Sequence, residues 1–208
     1  NTKFDDKAVW EAFSKGLTEG IFQFESAGMK GTLTDMECSC LEDLTVANAL
    51  YRPGSMSFIS NYNNRKKGLE EFEYLHQDLE PILNNSYGII VFQEQLIEIG
   101  RLAGLHNPDE LRKATAKKNP KLMAKIEPEL KKGLTKRGWT QEQVDILWDI
   151  ILDFARYSFN KSHACAYAII AYICMFLKVH HTKEFMCSWI NSYIGKNEHL
   201  SPCLTEAQ

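Results

Sequence analysis

Residues 140–155 read TQEQVDILWDIILDFA, and this segment carries two features of an amphipathic α-helix. Thr140 precedes Gln143 by three residues, the capping-box spacing at which each side chain satisfies a backbone N–H of the first turn. The apolar residues that follow recur at spacings of three and four: Val144, Leu147, Trp148, Ile151, Leu152 and Ala155. That period places them on one helix face, which we expect to pack against a core.

Helical signals also occur through most of the remaining chain. They predict helices at 7–14, 41–50, 88–104, 107–118, from 120 onward and at 182–193. The helix from 120 is expected to end or kink at Pro128. The apolar run 21–24 could be a short strand, and the polar residues that follow the turn at 52–54 predict an exposed loop as far as Gly68. The predicted fold class is therefore all-α, with at most minor β structure near the N-terminal third.

Residues 164–177 are apolar on all sides. A membrane span needs 18 or more apolar residues, so we expect a central buried helix in a protein without membrane association. The composition is that of a globular chain, because 44% of the 208 residues are hydrophobic and 25% are charged. The first residue is Asn1 rather than Met, which favours a piece of a longer protein.

Positive charge is concentrated in one part of the chain. Ten of the 24 Lys and Arg lie in residues 111–138, against two of the 27 acids, so this segment carries +8 and the rest of the chain −11. Lys113 and Lys117 lie four residues apart on one helix face, and Arg112 flanks them. Several cations on one rigid face suit a polyphosphate or a nucleic-acid backbone. The alternative is a solvated, lysine-rich helix face.

Two polar segments are further candidates. FNKSH at 159–163 places donor-rich residues between two apolar helices, although Ser162 could cap the next helix and Asn160 could make a turn. QEQ at 93–95 faces either a polar site or solvent. The sequence contains neither common glycine-rich phosphate motif and no hydrolase or zinc-protease motif, so the residues alone identify no catalytic centre.

The six cysteines predict no metal site by their spacing. Cys38 and Cys40 form C-x-C, and no second pair follows at zinc-finger spacing. We expect reduced, buried thiols of a cytoplasmic protein. A zinc-bound cysteine module is the alternative, and zinc in the purified protein would reveal it.

Six segments occur in an order that is specific to one protein family. They are GIFQFES at 20–26 with GMK at 28–30, LEDL at 41–44, ALYRPG at 49–54, YGIIVFQEQ at 87–95, LRKA at 111–114 with KK at 117–118, and FNKSHA at 159–164. Together they resemble, over residues 5–191, the fingers domain of the bacterial DNA polymerase III alpha subunits, the C family of replicative DNA polymerases.

The resemblance implies a helical domain of a DNA-directed DNA polymerase, which is a nucleotidyltransferase of DNA replication. In that family a basic pair contacts the triphosphate of the incoming dNTP. Arg112 and Lys113 stand at those positions here, with Lys117 and Lys118 extending the surface. The residues implied to face the nucleotide or the template are Gln93, Gln95, Asn160, Lys161 and His163. The family pair is Arg-Arg, so Lys113 retains the charge but lacks the planar guanidinium.

The resemblance also implies what the segment lacks. The family's catalytic aspartates lie on the palm, and their motifs do not occur in this chain, so we expect no catalytic residue, metal or cofactor here and no activity from this fragment alone. Mg²⁺ would bind the palm of the parent enzyme. The implied partners are primer–template DNA, dNTP, the other domains of the same polymerase and, through regions absent here, replisome subunits such as the sliding clamp. The implied location is the cytoplasm.

We expect the fingers region to occupy residues 1–194, with a basic nucleotide-facing segment at 107–138 and a buried helical core at 141–193. Residues 195–208 would form a polar C-terminal tail. The alternative is a non-enzymatic helical module that binds nucleic acid or protein through the same basic helix. A nucleotide site requires the basic residues 112–118 and Lys161 to converge on one concave surface, whereas a scaffold does not.

Overall fold

The computed structural model describes residues 3–194 and 204–205, and the regular structure across them is helical. The α-helices are α1 (Lys7–Ser14), α2 (Ala27–Met36), α3 (Leu41–Leu50), α4 (Ser57–Lys66), α5 (Glu80–Leu83), α6 (Gln93–Leu102), α7 (Pro108–Ala116), α8 (Pro120–Lys136), α9 (Gln141–Phe154), α10 (Lys161–His180) and α11 (Thr182–Ser192). Short 3-10 helices, Gln77–Leu79 and Asn84–Ser86, flank α5. In these residues the β structure is one isolated bridge between Phe92 and Phe159. The all-α prediction is confirmed.

Two compact units divide the chain. Unit 1 contains Asn1–Tyr51 and His163–Gln208, and unit 2 contains Arg52–Ser162. The expected fingers region at 1–194, with its segments 107–138 and 141–193, stays a prediction. Most of the expected tail at 195–208 lies outside the described residues.

Unit 1 begins with a capped helix. The Asp6 side chain accepts a hydrogen bond from the Val9 N–H at 3.1 Å, which satisfies one of the exposed donors of the first turn of α1. The strand that residues 21–24 could have formed is absent from the described part of unit 1. Gly20 and Gln23 both have positive φ, which turns the chain, and the Thr18 hydroxyl closes the turn by donating to the Phe24 carbonyl at 2.5 Å.

Helix α10 differs from the helix buried on all sides that its composition predicts. Its small residues Ala164, Ala168 and Ala171 are buried, whereas Ile170 and Ile173 on the opposite side are 47% and 46% exposed. By length and composition alone the helix could cross a membrane, with 28% of the relevant stretch buried. Core helices of soluble proteins meet the same criterion. The expectation of no membrane association therefore stays a prediction.

Unit 2 has a core of aliphatic and aromatic side chains from α6 to α9. On α9 the predicted capping box is present, because the Thr140 hydroxyl accepts from the Gln143 N–H at 3.2 Å and the side-chain Oε1 of Gln143 accepts from the Thr140 N–H at 3.0 Å. The core residues that these four helices contribute include Leu96, Ile99, Leu111, Ala114, Ile126, Leu130, Leu134, Val144, Leu147, Ile151 and Phe154. The amphipathic pattern of 140–155 therefore predicted the start of α9 and most of its buried face, although Leu152 is 42% exposed and Phe154 is buried instead.

The predicted exposed loop before Gly68 is wrong, because residues Ser57–Lys66 form α4. Its sequence is polar, but the Tyr62 ring is buried and packs edge-on against the Tyr87 ring. The Arg65 guanidinium pairs with Glu70 at 2.7 Å and donates to the Tyr87 carbonyl at 3.0 Å. Contacts made far along the chain stabilise a helix that local composition does not favour.

Helix α8 continues through Pro128, which was expected to end or kink it. A proline inside a helix removes one backbone hydrogen bond. Burial of Met123, Ile126 and Leu130 on either side holds the helix to the core. Gly133, further along, lies so near the end of α6 that a Cβ there would sit 1.7 Å from the Ala103 carbonyl oxygen.

The cysteines are less buried than expected. Cys38 is buried, Cys165 and Cys174 are half-buried, and Cys40 and Cys187 are exposed. No disulfide joins these five, and the described residues contain no group of three or more His, Cys, Asp or Glu that could hold a metal ion. Cys203 lies outside the described residues.

Candidate functional site

Helix α7 presents the basic pair because its other face is buried. Pro108 occupies the first turn, where its missing N–H costs nothing. Leu111, Ala114 and Thr115 are buried against the core, and the Thr115 hydroxyl donates to the Leu111 carbonyl at 3.1 Å. The residues between them in sequence, Arg112 and Lys113, consequently lie on the side that solvent reaches.

Asp109 holds both members of the basic pair. Its Oδ1 lies 2.5 Å from Nε of Arg112, and its Oδ2 lies 2.9 Å from Nζ of Lys113. The two hydrogen-bonded cations lower the pKa of Asp109 to about 2. Hydrogen bonding to Asp109 likewise raises the pKa of Arg112, and the charge of Glu94 adds to that shift. The cations are held in place, and half of their charge is balanced locally.

Glu94 joins α6 to the FNKSH segment within unit 2. Its Oε1 accepts from Nδ2 of Asn160 at 3.0 Å, and its Oε2 accepts from the backbone N–H of Lys161 at 2.8 Å. The neighbouring Gln93 N–H donates to the Phe159 carbonyl at 2.8 Å. The charge of Glu94 also contributes to the raised pKa of Arg112, so Glu94 binds the start of α10 directly and influences α7 through its charge.

Lys161 lies beside a groove of unit 2. Its Nζ is 5.1 Å from the centre of the Phe92 ring, which is cation–π range. The groove measures about 630 Å³, and its other charged lining residues are Asp78, Glu94, Glu98 and Arg101. The groove is open, and its five charged lining residues are three acids and two cations.

The structure separates the remaining predicted residues. Lys117 is exposed at the end of α7, and Lys118, at φ +48°, lines a different, mainly apolar cavity beside Trp148. The Gln93 amide donates to the Ser158 hydroxyl at 3.3 Å. His163 belongs to unit 1, where its ring lies 4.6 Å from the Tyr167 ring.

Gln95 has an internal role. Its Oε1 accepts from the N–H groups of Val91 and Phe92 at 2.8 and 2.9 Å, and its Nε2 donates to the Ser86 hydroxyl at 2.8 Å and the Ile82 carbonyl at 3.3 Å. These contacts occupy the full hydrogen-bonding capacity of the amide. Gln95 therefore shapes the start of α6, and we do not carry it into the site.

Three residues near the site escaped the sequence reasoning. The Asp109 pairs are readable from sequence, since residues three and four apart share a helix face. Glu94 lies within a segment that we singled out, but its bonds span 66 and 67 residues and have no local signal. Arg52 donates to the Tyr157 carbonyl at 2.8 Å, and its guanidinium lies 4.2 Å from the centre of the Phe159 ring. These two contacts hold the start of the FNKSH segment.

Comparison with known proteins gives one consistent result. Residues 1–138 match the family described as the bacterial DNA polymerase III alpha subunit finger domain. The chain is 40% identical over 208 residues to the DNA polymerase III subunit alpha of Bacillus subtilis, covering 99% of the chain and 19% of that relative.

Two further relatives carry the same name. The protein of Halalkalibacterium halodurans is 39% identical over 205 residues, covering 97% of the chain and 18% of the relative. The protein of Aquifex aeolicus is 38% identical over 202 residues, covering 95% and 17%. The chain thus spans less than a fifth of the length of these relatives.

Proposed function

This chain belongs to the finger-domain family of the bacterial DNA polymerase III alpha subunits, and we propose that within such a polymerase it binds the triphosphate of the incoming dNTP and helps position template DNA. The observations that support the proposal are the Arg112 and Lys113 pair held by Asp109 and, in the same unit, the Glu94 bonds that anchor Asn160 and Lys161. Convergence of cations from two distant segments is what a nucleotide site needs. A scaffold could use the basic helix alone.

The cations would act on the charge of the substrate. In DNA synthesis the primer 3′-hydroxyl attacks the α-phosphate, the bond to the β-phosphate breaks, and pyrophosphate leaves with its negative charge. Arg112 can donate two parallel hydrogen bonds to phosphate oxygens, whereas Lys113 and Lys161 supply point charges. Fixed cations stabilise the developing charge because they need no reorganisation during the reaction.

Asp109 would tune this binding. Without a bound nucleotide, its carboxylate oxygens lie 2.5 Å from Nε of Arg112 and 2.9 Å from Nζ of Lys113, which limits the conformational freedom of both side chains. A triphosphate carries more negative charge than one carboxylate, so it would draw the same cations with little ordering cost. Arg112 and Lys113 would thus exchange their contacts with Asp109 for contacts with the triphosphate.

The polymerase reaction itself requires groups outside this segment. Mg²⁺ does not fit the described residues, which contain no cluster of carboxylates able to hold it, so no step here is derived through a metal. We propose that the isolated chain is inactive and takes no cofactor. Primer–template DNA, the other domains of the polymerase and replisome subunits such as the sliding clamp are its proposed partners, in the cytoplasm.

The direct test is binding of a base-labelled fluorescent dATP to the purified chain by anisotropy. We expect Arg112→Ala to weaken binding about tenfold or more, in the range for a lost charge-assisted hydrogen bond. Arg156→Ala is the matched control, because Arg156 also faces an aspartate three residues earlier, at 3.8 Å. Equal effects of the two substitutions would overturn the proposal.

The same assay distinguishes a nucleotide site from the alternative, a non-enzymatic module that binds nucleic acid. A helical nucleic-acid-binding module would bind labelled primer–template DNA, and unlabelled dATP at similar phosphate concentration would not compete. A nucleotide site is expected to show competition by dATP and by inorganic tripolyphosphate at one common set of residues.

A further inference from the structure

Glu94 is the second residue of α6, and its carboxylate bonds to residues 160 and 161, which belong to the same unit. An acidic side chain in the first turn of a helix is favoured by the partial positive charge of the exposed N–H groups. Here the carboxylate also accepts bonds from outside its own helix. That second set of contacts distinguishes it from an ordinary first-turn acid.

The two oxygens of Glu94 bind two successive residues. Oε1 takes the Asn160 amide at 3.0 Å, and Oε2 takes the Lys161 N–H at 2.8 Å. Lys161 is the first residue of α10, so its N–H has no partner within the helix, and Glu94 satisfies it. The Ser162 hydroxyl donates to the other end of the Asn160 amide at 2.6 Å, which fixes the orientation of that side chain.

Glu94 also acts across to α7, because its charge contributes to the raised pKa of Arg112. Glu94 therefore binds the start of α10 directly and influences the guanidinium of Arg112 through its charge. An anion near two cations lowers the cost of their mutual repulsion.

We propose that Glu94 is a positioning residue of the triphosphate site, holding Asn160 and Lys161 in place before the nucleotide arrives. This inference rests on the proposed function, because it names a residue that acts through the groups of that same site. Glu94 does not bind the triphosphate, since like charges repel. Its contribution is the arrangement of the groups that do.

The inference is tested by whether neutralising Glu94 strengthens or weakens the binding of tripolyphosphate. A carboxylate that merely lies near a cation cluster opposes anion binding, so its neutralisation should tighten the binding of tripolyphosphate. A carboxylate that positions the cluster should have the opposite effect. We expect Glu94→Gln to weaken tripolyphosphate binding about tenfold, and Glu94→Asp to recover part of the loss.

Glu98→Gln is the matched control. Glu98 lies one turn further along α6 and lines the same groove, but it pairs with Arg101, three residues away on the same helix. Neutralising it removes the same charge at a similar place without touching the Asn160 and Lys161 bonds. We expect this variant to bind tripolyphosphate as well as the unchanged chain, or slightly better.

Isothermal titration of the chain with tripolyphosphate measures all variants, and urea denaturation checks that each is folded. If Arg112→Ala weakens binding while Glu94→Gln tightens it, the proposed function stands and the positioning role fails. If the unchanged chain does not bind and Arg112→Ala makes no difference, the proposed function fails first. Should Glu94→Gln not fold, Asn160→Ala removes one of the two anchored groups and is expected to weaken binding about threefold; an unchanged affinity would overturn the inference.

Discussion

Asp109 and Arg112 lie one turn apart on α7, with Oδ1 of the carboxylate 2.5 Å from Nε of the guanidinium. The second carboxylate oxygen holds Lys113 at 2.9 Å. One acid thus binds both residues that we expect to contact a triphosphate. The local folding of α7 and the chemistry of the site are coupled through this side chain.

The Asp109 pairs predict a pH dependence. Folding lowers the pKa of Asp109 from 3.8 to about 2, so its contribution to stability is complete above the unfolded pKa and is lost as the pH falls toward the folded value. Asp109→Asn should lower the free energy of unfolding by about 0.5–1 kcal/mol above about pH 5, a small value because the carboxylate is 36% exposed and solvent screens the pairs. That difference should fade between about pH 4 and pH 2.

Urea denaturation across this pH range measures the effect. In a chain that already carries Arg112→Ala and Lys113→Ala, Asp109→Asn should change the free energy of unfolding little at any pH. A difference that stays constant down to about pH 2 would show that the ion pairs do not stabilise α7.

At Gly133 on α8, we expect alanine to destabilise the chain although alanine generally favours helices. Alanine is favoured over glycine inside helices by about 1 kcal/mol, yet a Cβ at Gly133 would lie 1.7 Å from the Ala103 carbonyl oxygen. Gly133→Ala should therefore destabilise the chain by about 2 kcal/mol or more, as overpacking against backbone does. Gly31→Ala in α2 is the control, because nothing lies within 4 Å of its added Cβ, and it should stabilise. Thermal denaturation of both variants measures the effect. Equal shifts of the two melting temperatures would contradict the close approach of α8 and α6.

Lys113 predicts a gain of function. Arginine at this position would present a planar fork to phosphate oxygens, so Lys113→Arg should tighten tripolyphosphate binding roughly twofold to fivefold. Lys113→Gln should weaken it by a similar factor. Lys125→Gln, which removes an exposed lysine from α8, should have a smaller effect. Titration calorimetry measures all three, and a loss of affinity on Lys113→Arg would argue against phosphate contact at this residue.

The four basic residues Arg112, Lys113, Lys117 and Lys118 predict a salt dependence of DNA binding. If all four neutralise phosphates, the logarithm of the affinity for labelled primer–template DNA should fall with the logarithm of salt concentration with a slope of about −3 to −4. Reversal of all four to Glu should remove this slope. Lys118 lines a different cavity from Lys161, and a slope of about −2 would indicate that only two of the four residues contact phosphates.

Local rules predicted much of the fold. The capping box of Thr140 and Gln143 correctly predicted the start of α9, because its two residues lie within one helical turn of each other. Residues 41–50 form α3 as expected from their composition. Helix α4 escaped prediction because its stability comes from the buried Tyr62 ring and from Arg65 bonding to Glu70 and Tyr87. Such contacts leave no mark in local composition.

The candidate site shows the same limit. The basic residues of α7 and the FNKSH segment were found by charge pattern and by resemblance. The carboxylate that anchors the FNKSH segment, Glu94, was not found, because its bonds to Asn160 and Lys161 depend on the tertiary fold. Gln95, only one residue later, was expected to face the nucleotide and instead turns inward, since the backbone of residues 91–92 needs an acceptor.

The most direct test of the account is an NMR titration of the ¹⁵N-labelled chain with dATP, following two signals. One is the Arg112 side-chain Nε–H, and the other is the Lys161 backbone N–H that Glu94 accepts. The account predicts that both signals shift together and fit one dissociation constant, because both groups surround one triphosphate. A shift of Arg112 with an unmoved Lys161 signal, or two different dissociation constants, would contradict a single site around Glu94.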